Sequence, residues 1–316
     1  MRLFLLTALL FIAFNIFAQP VAELLEQGEQ LRTNKKYDEA LAIYNRIVSA
    51  DTTNYQGFVQ RGFLFNEMDE MEKSYDDYSK AITIYPDSAL AYHYRAILLF
   101  RLMYTDEAIY DNTRAIELAV DDSMRMICFA NRGNAKQQKR DFQGAYEDYS
   151  KAYFINSGNM GILNNMATSL DELGRRDEAI VFFKKIIAID SSFIGPYVNI
   201  GFQYTQLGKY KEAITYFDKA LLIEKDEPLT LNNRGLAKYH LKDFQGALLD
   251  INLSIGKYPG NAYAYKNRAL VYIAQSKIEN ACKDLEEAQK LEFTKQYGEE
   301  VNELQKKYCS KNDKKK

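Results

Sequence analysis

A period of 34 residues, repeated from Val21 to about Lys295, constrains this chain more than any other feature. The eighth position of each period is small: Gly28, Gly62, Ala96, Gly133, Ala167, Gly201, Gly235 and Ala269. The fourth position is large and apolar: Leu24, Phe58, Tyr92, Phe129, Leu163, Tyr197, Leu231 and Tyr265. Each period therefore predicts two amphipathic helices that approach closely around a short turn. Units of this kind share a core with their neighbours, so the sequence predicts a stack rather than separate domains.

Small residues also recur at position 20, from Ala40 to Ala281, and with this pattern the chain resembles the tetratricopeptide repeat (TPR) family. The resemblance implies an all-α fold, an α-solenoid of eight helix-turn-helix repeats in a right-handed superhelix, plus a C-terminal capping helix. The predicted segments are a signal peptide, 1–18, eight repeats at 21–54, 55–88, 89–125, 126–159, 160–193, 194–227, 228–261 and 262–295, and a cap with a lysine-rich tail, 296–316. Three extra residues near Val120–Ser123 are expected to lengthen one inter-repeat loop. The departures from the family pattern include Asn112 at position 24, and Lys136 and Lys238 at position 11.

The first 18 residues predict a secretory leader. Arg2 precedes the apolar run Leu3–Phe14, and a cleavage site follows Ala18. The run is shorter than the roughly 20 residues that a spanning helix needs, and an uncleaved anchor is the alternative. No second apolar run of spanning length follows. We therefore expect an exported protein, periplasmic or secreted, with no transmembrane span after leader cleavage and with envelope association left open.

Arginine and aspartate vary together at positions 7 and 23 of the period. Five repeats contain both, 16 residues apart: Arg61/Asp77, Arg95/Asp111, Arg132/Asp148, Arg234/Asp250 and Arg268/Asp284. The other three repeats change both members, to Gln27/Ile43, Met166/Phe182 and Ile200/Tyr216. Removing one partner of a buried pair costs about 3–5 kcal/mol, whereas replacing both can be neutral. The pattern therefore predicts structural ion pairs between the two helices of a repeat rather than a basic ladder for phosphate.

Asparagine occupies position 6 of the last five repeats without a break: Asn131, Asn165, Asn199, Asn233 and Asn267. Positions 2, 5, 6, 9 and 13 share a helix face away from the packing positions, so the core does not require asparagine there. In proteins that this chain resembles, that face lines a concave groove, where asparagine carboxamides hold the backbone of an extended peptide. Further candidates for peptide contact are Asn134, Asn164, Asn232, Phe202 and Tyr239. The alternative is that each asparagine bonds a neighbouring repeat and braces the stack.

The first three repeats have Glu26, Gln60 and Tyr94 at position 6, so we expect that end to bind differently or not at all. Beyond the last repeat, Gln296–Tyr308 predicts one more helix, which would cap the apolar end of the stack. Two antiparallel helices joined by a short turn would bring Cys282 and Cys309 together. We therefore predict a disulfide, which an oxidising compartment permits, with two unpaired thiols as the alternative.

No motif in the sequence predicts catalysis, a metal site or a cofactor. The two histidines, His93 and His240, are far apart and are interpreted as surface or rim residues, and Cys128 as a buried small hydrophobe. The net charge of −2 argues against a nucleic-acid partner. We therefore predict a non-enzymatic exported scaffold that binds an extended segment of a partner protein or peptide in its groove. The alternatives are a structural subunit of an envelope protein complex, using its convex face or ends, and an enzyme or glycan binder, for which no catalytic groups are found.

Overall fold

The computed structural model describes residues 20–309, and in this range the chain forms eighteen helices and no strand. The leader predicted at 1–18 and the lysine-rich tail after Cys309 lie outside the described residues. Within the described range, no helix has the length and apolar character needed to cross a membrane. The chain divides into two compact units, with the boundary between Ser157 and Gly158.

The first unit contains four helix pairs, which correspond to repeats 1 to 4. Its helices are α1 (Val21–Thr33), α2 (Tyr37–Ala50), α3 (Tyr55–Glu67), α4 (Met71–Ile84), α5 (Ala89–Arg101), α6 (Thr105–Leu118), α7 (Asp122–Gln138) and α8 (Phe142–Ile155). Odd-numbered helices occupy the first half of each repeat and even-numbered helices the second half.

The second unit contains repeats 5 to 8 and two further short helices. Its helices are α9 (Met160–Glu172), α10 (Arg176–Ile189), α11 (Ile194–Gln206), α12 (Tyr210–Ile223), α13 (Pro228–His240), α14 (Phe244–Lys257), α15 (Ala262–Ala274), α16 (Ile278–Lys290), α17 (Phe293–Tyr297) and α18 (Glu300–Tyr308).

The small residues at position 8 allow the two helices of a repeat to touch. A Cβ on Gly28 would lie 2.5 Å from the Tyr44 ring, and one on Gly201 would lie 2.5 Å from the Phe217 ring. Real Cβ contacts are never this short, so the buried ring at position 24 packs directly on the glycine backbone. Asn112 takes the ring's position in repeat 3, where its Nδ2 donates to the carbonyl of Ala108 at 2.9 Å.

The turn between the two helices places position 15 in the left-handed region in all eight repeats. Glycine occupies it only in repeats 5 and 6, as Gly174 (φ 74°) and Gly208 (φ 70°). The other six repeats place a residue with a side chain there: Lys35, Asp69, Met103, Arg140, Lys242 and Ser276, with φ between 59° and 65°. The left-handed conformation costs a residue with a side chain about 1–2 kcal/mol. These six turns are therefore strained, whereas the two glycine turns are not.

The three extra residues of the sequence do not lengthen a loop, so that prediction was wrong. They extend α7, which has 17 residues and begins at Asp122, whereas α5 and α9 have 13. The Asp121 carboxylate accepts a hydrogen bond from the Met124 backbone N–H at 2.8 Å and so caps the lengthened helix. Arg125 pairs with Asp122 at 2.5 Å and adds support to the first turn.

The C-terminal cap is also shorter than the sequence predicted. Gly298, with φ of 99°, ends α17, and α18 begins only at Glu300 instead of Gln296. Val301 of α18 is fully buried and joins the apolar cluster of Leu285, Phe293 and their neighbours, while Leu304 packs at its edge. A disulfide joins Cys309, after α18, to Cys282 in α16. These contacts cover the apolar end of repeat 8.

Candidate functional site

The five arginines at position 7 each form a bidentate pair with the aspartate of the same repeat. In repeat 3, Arg95 Nε and Nη2 donate to Asp111 at 2.7 and 2.9 Å, and Asp111 is 1% exposed. The equivalent bonds are 2.7–2.8 Å long in the other four pairs: Arg61/Asp77, Arg132/Asp148, Arg234/Asp250 and Arg268/Asp284. Each carboxylate is thus occupied on both oxygens, and these arginines are not available as a ladder for phosphate.

The aspartates at the two ends of this series are the most exposed of the five, yet they too are buried. Asp77 in α4 is 5% exposed and Asp284 in α16 is 6% exposed. Arg61 and Arg268 engage both oxygens of these carboxylates. Asp77 and Asp284 therefore belong to the packing between helices and not to a surface that a ligand could reach.

Each of these arginines also bonds the preceding repeat, which sequence analysis missed. The Nη1 group donates to a side chain at position 25 of that repeat: Asn45 (2.8 Å), Ser79 (3.1 Å), Thr113 (3.0 Å), Asp218 (2.6 Å) and Asn252 (2.7 Å). We call this three-point contact the Arg clamp. The signal was in the sequence, since an acceptor stands at position 25 wherever the next repeat has the arginine.

The two lysines that depart from the family pattern at position 11 take part in the same contacts. Lys136 Nζ lies 2.8 Å from Asp148, and Lys238 Nζ lies 2.8 Å from Asp250. Burial would raise the pKa of Asp148, but Arg132 and Lys136 together outweigh it and lower that pKa below its usual value. Asp111 has Arg95 but no lysine, and burial raises its pKa.

In repeats 5 and 6, apolar or aromatic side chains occupy positions 7 and 23 in place of the arginine and the aspartate. Met166 is 2% exposed and Ile200 is fully buried, and their partners Phe182 and Tyr216 are half-buried. We call these two the apolar repeats.

The second unit presents three of the predicted asparagines at the same point of successive first helices. Asn165 lies in α9, Asn199 in α11 and Asn233 in α13, and all three are half-buried. Within residues 20–309, the carboxamides of Asn199 and Asn233 make no hydrogen bond to another side chain or to the backbone. We call Asn165, Asn199 and Asn233 the amide row. Its side chains are partly accessible, so they can donate to and accept from a backbone laid across them.

Asn267 does not continue the amide row, so the prediction that it contacts peptide was wrong. It is 1% exposed, and its Nδ2 donates to Asn232 Oδ1, 3.0 Å away in the preceding repeat. Asn232 is itself only 4% exposed, so it too is a bracing residue rather than a peptide contact. Asn267 is buried because Asn232, at position 5 of the preceding repeat, accepts its hydrogen bond. At the junction of repeats 7 and 8, asparagine therefore braces the stack, as the alternative interpretation predicts.

The remaining predicted contacts are divided between the two units. Asn131 and Asn134 belong to α7 in the first unit, and Asn134 accepts a hydrogen bond from Tyr149 Oη at 2.8 Å, which ties it to its own repeat. In the second unit Asn164 and Tyr239 are half-buried, and Phe202 is 43% exposed. Phe202 therefore offers an apolar surface beside the amides of α11.

Models of the tetratricopeptide repeat match residues 161–193 and 196–227, which are the two apolar repeats. The chain is a tetratricopeptide repeat protein. Such repeats bind proteins or peptides, so the TPR fold supports a role as a protein-interaction scaffold.

Similar proteins share the fold of this TPR protein but only a small part of its sequence. A TPR repeat-containing protein of Methanocaldococcus jannaschii is 24% identical over 174 residues, which is 52% of this chain and only 30% of that longer protein. The C-terminal part of a TPR repeat-containing protein from Cytophaga hutchinsonii has a TM-score of 0.66 at 14% identity, covering 77% of this chain and 98% of that one. YrrB, described as a TPR protein with an unusual peptide-binding site, has a TM-score of 0.54 at 19% identity, covering 60% of this chain and 95% of that one.

His93 is not a rim residue of this TPR protein, and that interpretation was wrong. It is 7% exposed, and its Nδ1 lies 3.6 Å from Sγ of the buried Cys128 in the next repeat. Burial lowers the pKa of His93 to about 4 and raises the pKa of Cys128 to about 12. Both groups are therefore neutral at pH 7, and the pair lacks the thiolate that a nucleophilic cysteine needs.

His240 is exposed and stacks on Tyr210, with ring centres 4.5 Å apart. Among residues 20–309 no group of three or more histidine, cysteine or acidic side chains is arranged to hold a metal ion.

Proposed function

We propose that this TPR protein is a non-enzymatic scaffold, exported to the periplasm or secreted, which holds an extended segment of a partner protein along the amide row. The observation that carries the proposal is the row itself. Asn199 and Asn233 stand at the same position of the first helices of consecutive repeats, stay partly accessible, and their carboxamides bond no other group among the described residues. Asparagine is an indifferent helix former, so helix stability does not account for it.

A row of carboxamides suits a peptide backbone because each amide can both donate and accept. Binding of this kind reads the main chain and leaves the side-chain preference to neighbours such as Phe202. The fold relative YrrB is described as having a peptide-binding site, which agrees with this use of the repeats. The leader-like N-terminus and the Cys282–Cys309 disulfide both support export, since disulfides persist in oxidising compartments.

A photo-reactive phenylalanine analogue placed at Phe202 tests the amide row in cells of the source organism. Irradiation should cross-link a partner chain that mass spectrometry identifies. The same analogue at Leu249, which is 70% exposed on α14, is the matched control and should not capture that chain. Combining Asn165→Ala, Asn199→Ala and Asn233→Ala should abolish capture at position 202, and the circular dichroism spectrum of the variant should show that it stays folded.

Three exposed carboxamides on second helices provide the control for the triple variant: Gln245→Ala, Asn280→Ala and Gln289→Ala should leave capture intact. Capture that survives the loss of the amide row would overturn the proposal. Cell fractionation with N-terminal sequencing tests export separately, and the mature chain should begin at Gln19.

A structural subunit of an envelope complex is the second candidate. Several large apolar side chains on the second helices of the repeats are exposed to solvent: Phe154 is 92% exposed, Leu222 86% and Leu249 70%. If this candidate is right, the partner will be captured from Leu249 or Leu222 and not from Phe202.

A further inference from the structure

A cleft in the first unit is separate from the amide row and has different chemistry. Its volume is about 390 Å³, within the range of ligand sites. Its walls come from the start of α3, α5 and α7, with one residue of α1. Six apolar side chains line much of it: Leu25, Tyr55, Val59, Leu90, Val120 and Met124.

One wall of the cleft comes from the short segment between α6 and α7, next to the three extra residues that extend α7. Val120, in the short segment between α6 and α7, is 95% exposed, and it packs against nothing that would explain an apolar residue there. The segment is nevertheless held in place. Arg125 Nη2 donates to the Ala119 carbonyl at 2.8 Å, and Asp121 caps α7. Val120 and Asp121 are thus held at fixed points of the cleft, directly before the lengthened helix α7.

The polar groups of the cleft are amides and carboxylates. The side chains of Gln56 and Gln60 line it and bond no other group within residues 20–309. Asp87 and Asp121 lie at its edge, and neither has an ion pair in the described part of the chain. The first unit as a whole, residues 20–157, has 22 aspartates and glutamates against 16 lysines and arginines. A basic partner would therefore be attracted to this surface and an acidic one repelled.

We propose that this cleft binds a partner segment that inserts one apolar side chain, of leucine to phenylalanine size, next to a lysine or arginine. The apolar side chain is buried among Leu25, Leu90 and Val120, and the basic residue faces Asp87 and Asp121. Gln56 and Gln60 bond the segment's backbone on either side. This second site does not depend on the amide row, because all of its residues belong to the first unit.

Panning a phage library of random 12-residue peptides against the purified protein tests the proposal. Enriched peptides should share an apolar residue beside a lysine or arginine. Val120→Lys should weaken their binding at least tenfold, because it fills the cleft and adds a positive charge. Since Val120 is almost fully exposed, this variant should keep the circular dichroism spectrum and thermal midpoint of the parent. Asp87→Lys should weaken binding several-fold at low salt and less at high salt.

Two controls separate this site from the other surfaces of the protein. Phe154→Lys replaces another fully exposed apolar side chain of the same unit and should not affect binding. The triple amide-row variant should not affect it either, so failure of the proposed function leaves this test intact. The inference is overturned if no peptide is enriched, if the enriched peptides lack the apolar and basic pair, or if Val120→Lys acts no more strongly than Phe154→Lys.

Discussion

The apolar repeats 5 and 6 and the repeats with an Arg clamp solve the same packing problem in different ways. Repeats 2, 3, 4, 7 and 8 join their helices through a half-buried guanidinium and a buried carboxylate, whereas Met166 and Ile200 occupy the arginine position in repeats 5 and 6. The apolar repeats also have glycine, Gly174 and Gly208, at the left-handed turn position. They are the two repeats that the family models match.

This difference shows that positions 7 and 23 of a repeat accept either an ion pair or apolar side chains, provided that both positions change together. An Arg clamp needs the aspartate of its own repeat and an acceptor in the preceding one, so three positions in two repeats are coupled.

The largest expected effect comes from breaking one clamp. Arg95→Met should cost about 3–5 kcal/mol, because it leaves Asp111 buried without a counter-charge. Adding Asp111→Phe, which copies Met166/Phe182, should restore most of the loss. Hydrogen exchange of the α5 and α6 amides measures both. Met166→Arg is the reciprocal control and should destabilise repeat 5. Equal losses in the single and double variants would show that repeat 3 does not accept the apolar pair and that the two positions are not energetically coupled.

Acid should distinguish the junction of repeats 3 and 4 from the apolar repeats. The pKa of His93 is lowered from 6.5 to about 4, so the unfolded chain takes up a proton first as the pH falls. Stability is complete above about pH 6.5 and declines towards pH 4, by on the order of 3 kcal/mol. Exchange protection in α5 and α7 should fall over this window. The buried polar side chains of repeats 5 and 6 are Ser169 and Gln203, which do not titrate, so α9 to α12 should change little.

His93→Gln provides the control for the acid experiment, since the variant should lose the pH dependence of α5 and α7. If protection in the variant falls with pH as it does in the parent, another group is responsible.

The smallest effect concerns the turns. Lys242 has φ of 62°, so Lys242→Gly should stabilise repeat 7 by about 0.5–1 kcal/mol, because the conformational relief exceeds the added freedom of the unfolded chain. Gly174→Lys should cost repeat 5 a similar amount. Thermal unfolding reports both, and Lys219→Gly inside α12 is the matched control, which should destabilise. A destabilising Lys242→Gly would show that the lysine side chain, not the backbone, determines this turn.

The repeated features of the fold could be predicted from sequence because each appears in five or more repeats. The small residue at position 8 identified where α3 begins at Tyr55 and α13 at Pro228. Joint variation of arginine and aspartate identified the ion pairs, but their third partner escaped notice because Asn45 or Ser79 lies across a repeat boundary. Features that occur once were predicted poorly. Asp121 capping α7, Gly298 ending α17 and the contact of His93 with Cys128 each depend on one local interaction, which no periodicity indicates.

The candidate site was predicted in part for the same reason. Five asparagines at one position indicated a continuous row. Whether each asparagine is accessible, however, depends on the residue at position 5 of the preceding repeat. Asn232 accepts a hydrogen bond from Asn267, whereas Val198 stands at the equivalent position before Asn233.

Glu300 lies 34 residues after Lys266, the same interval that separates neighbouring repeats, and the two pair at 3.3 Å. The helix α18 therefore packs on repeat 8 at the place that the first helix of a further repeat would take. A stack of like units has no intrinsic length, and its bare end would accept the first helix of another molecule as readily as its own. Because α18 covers the apolar end of repeat 8 and the Cys282–Cys309 disulfide ties it there, this face is closed to the first helix of another molecule, which removes one route to head-to-tail polymerisation.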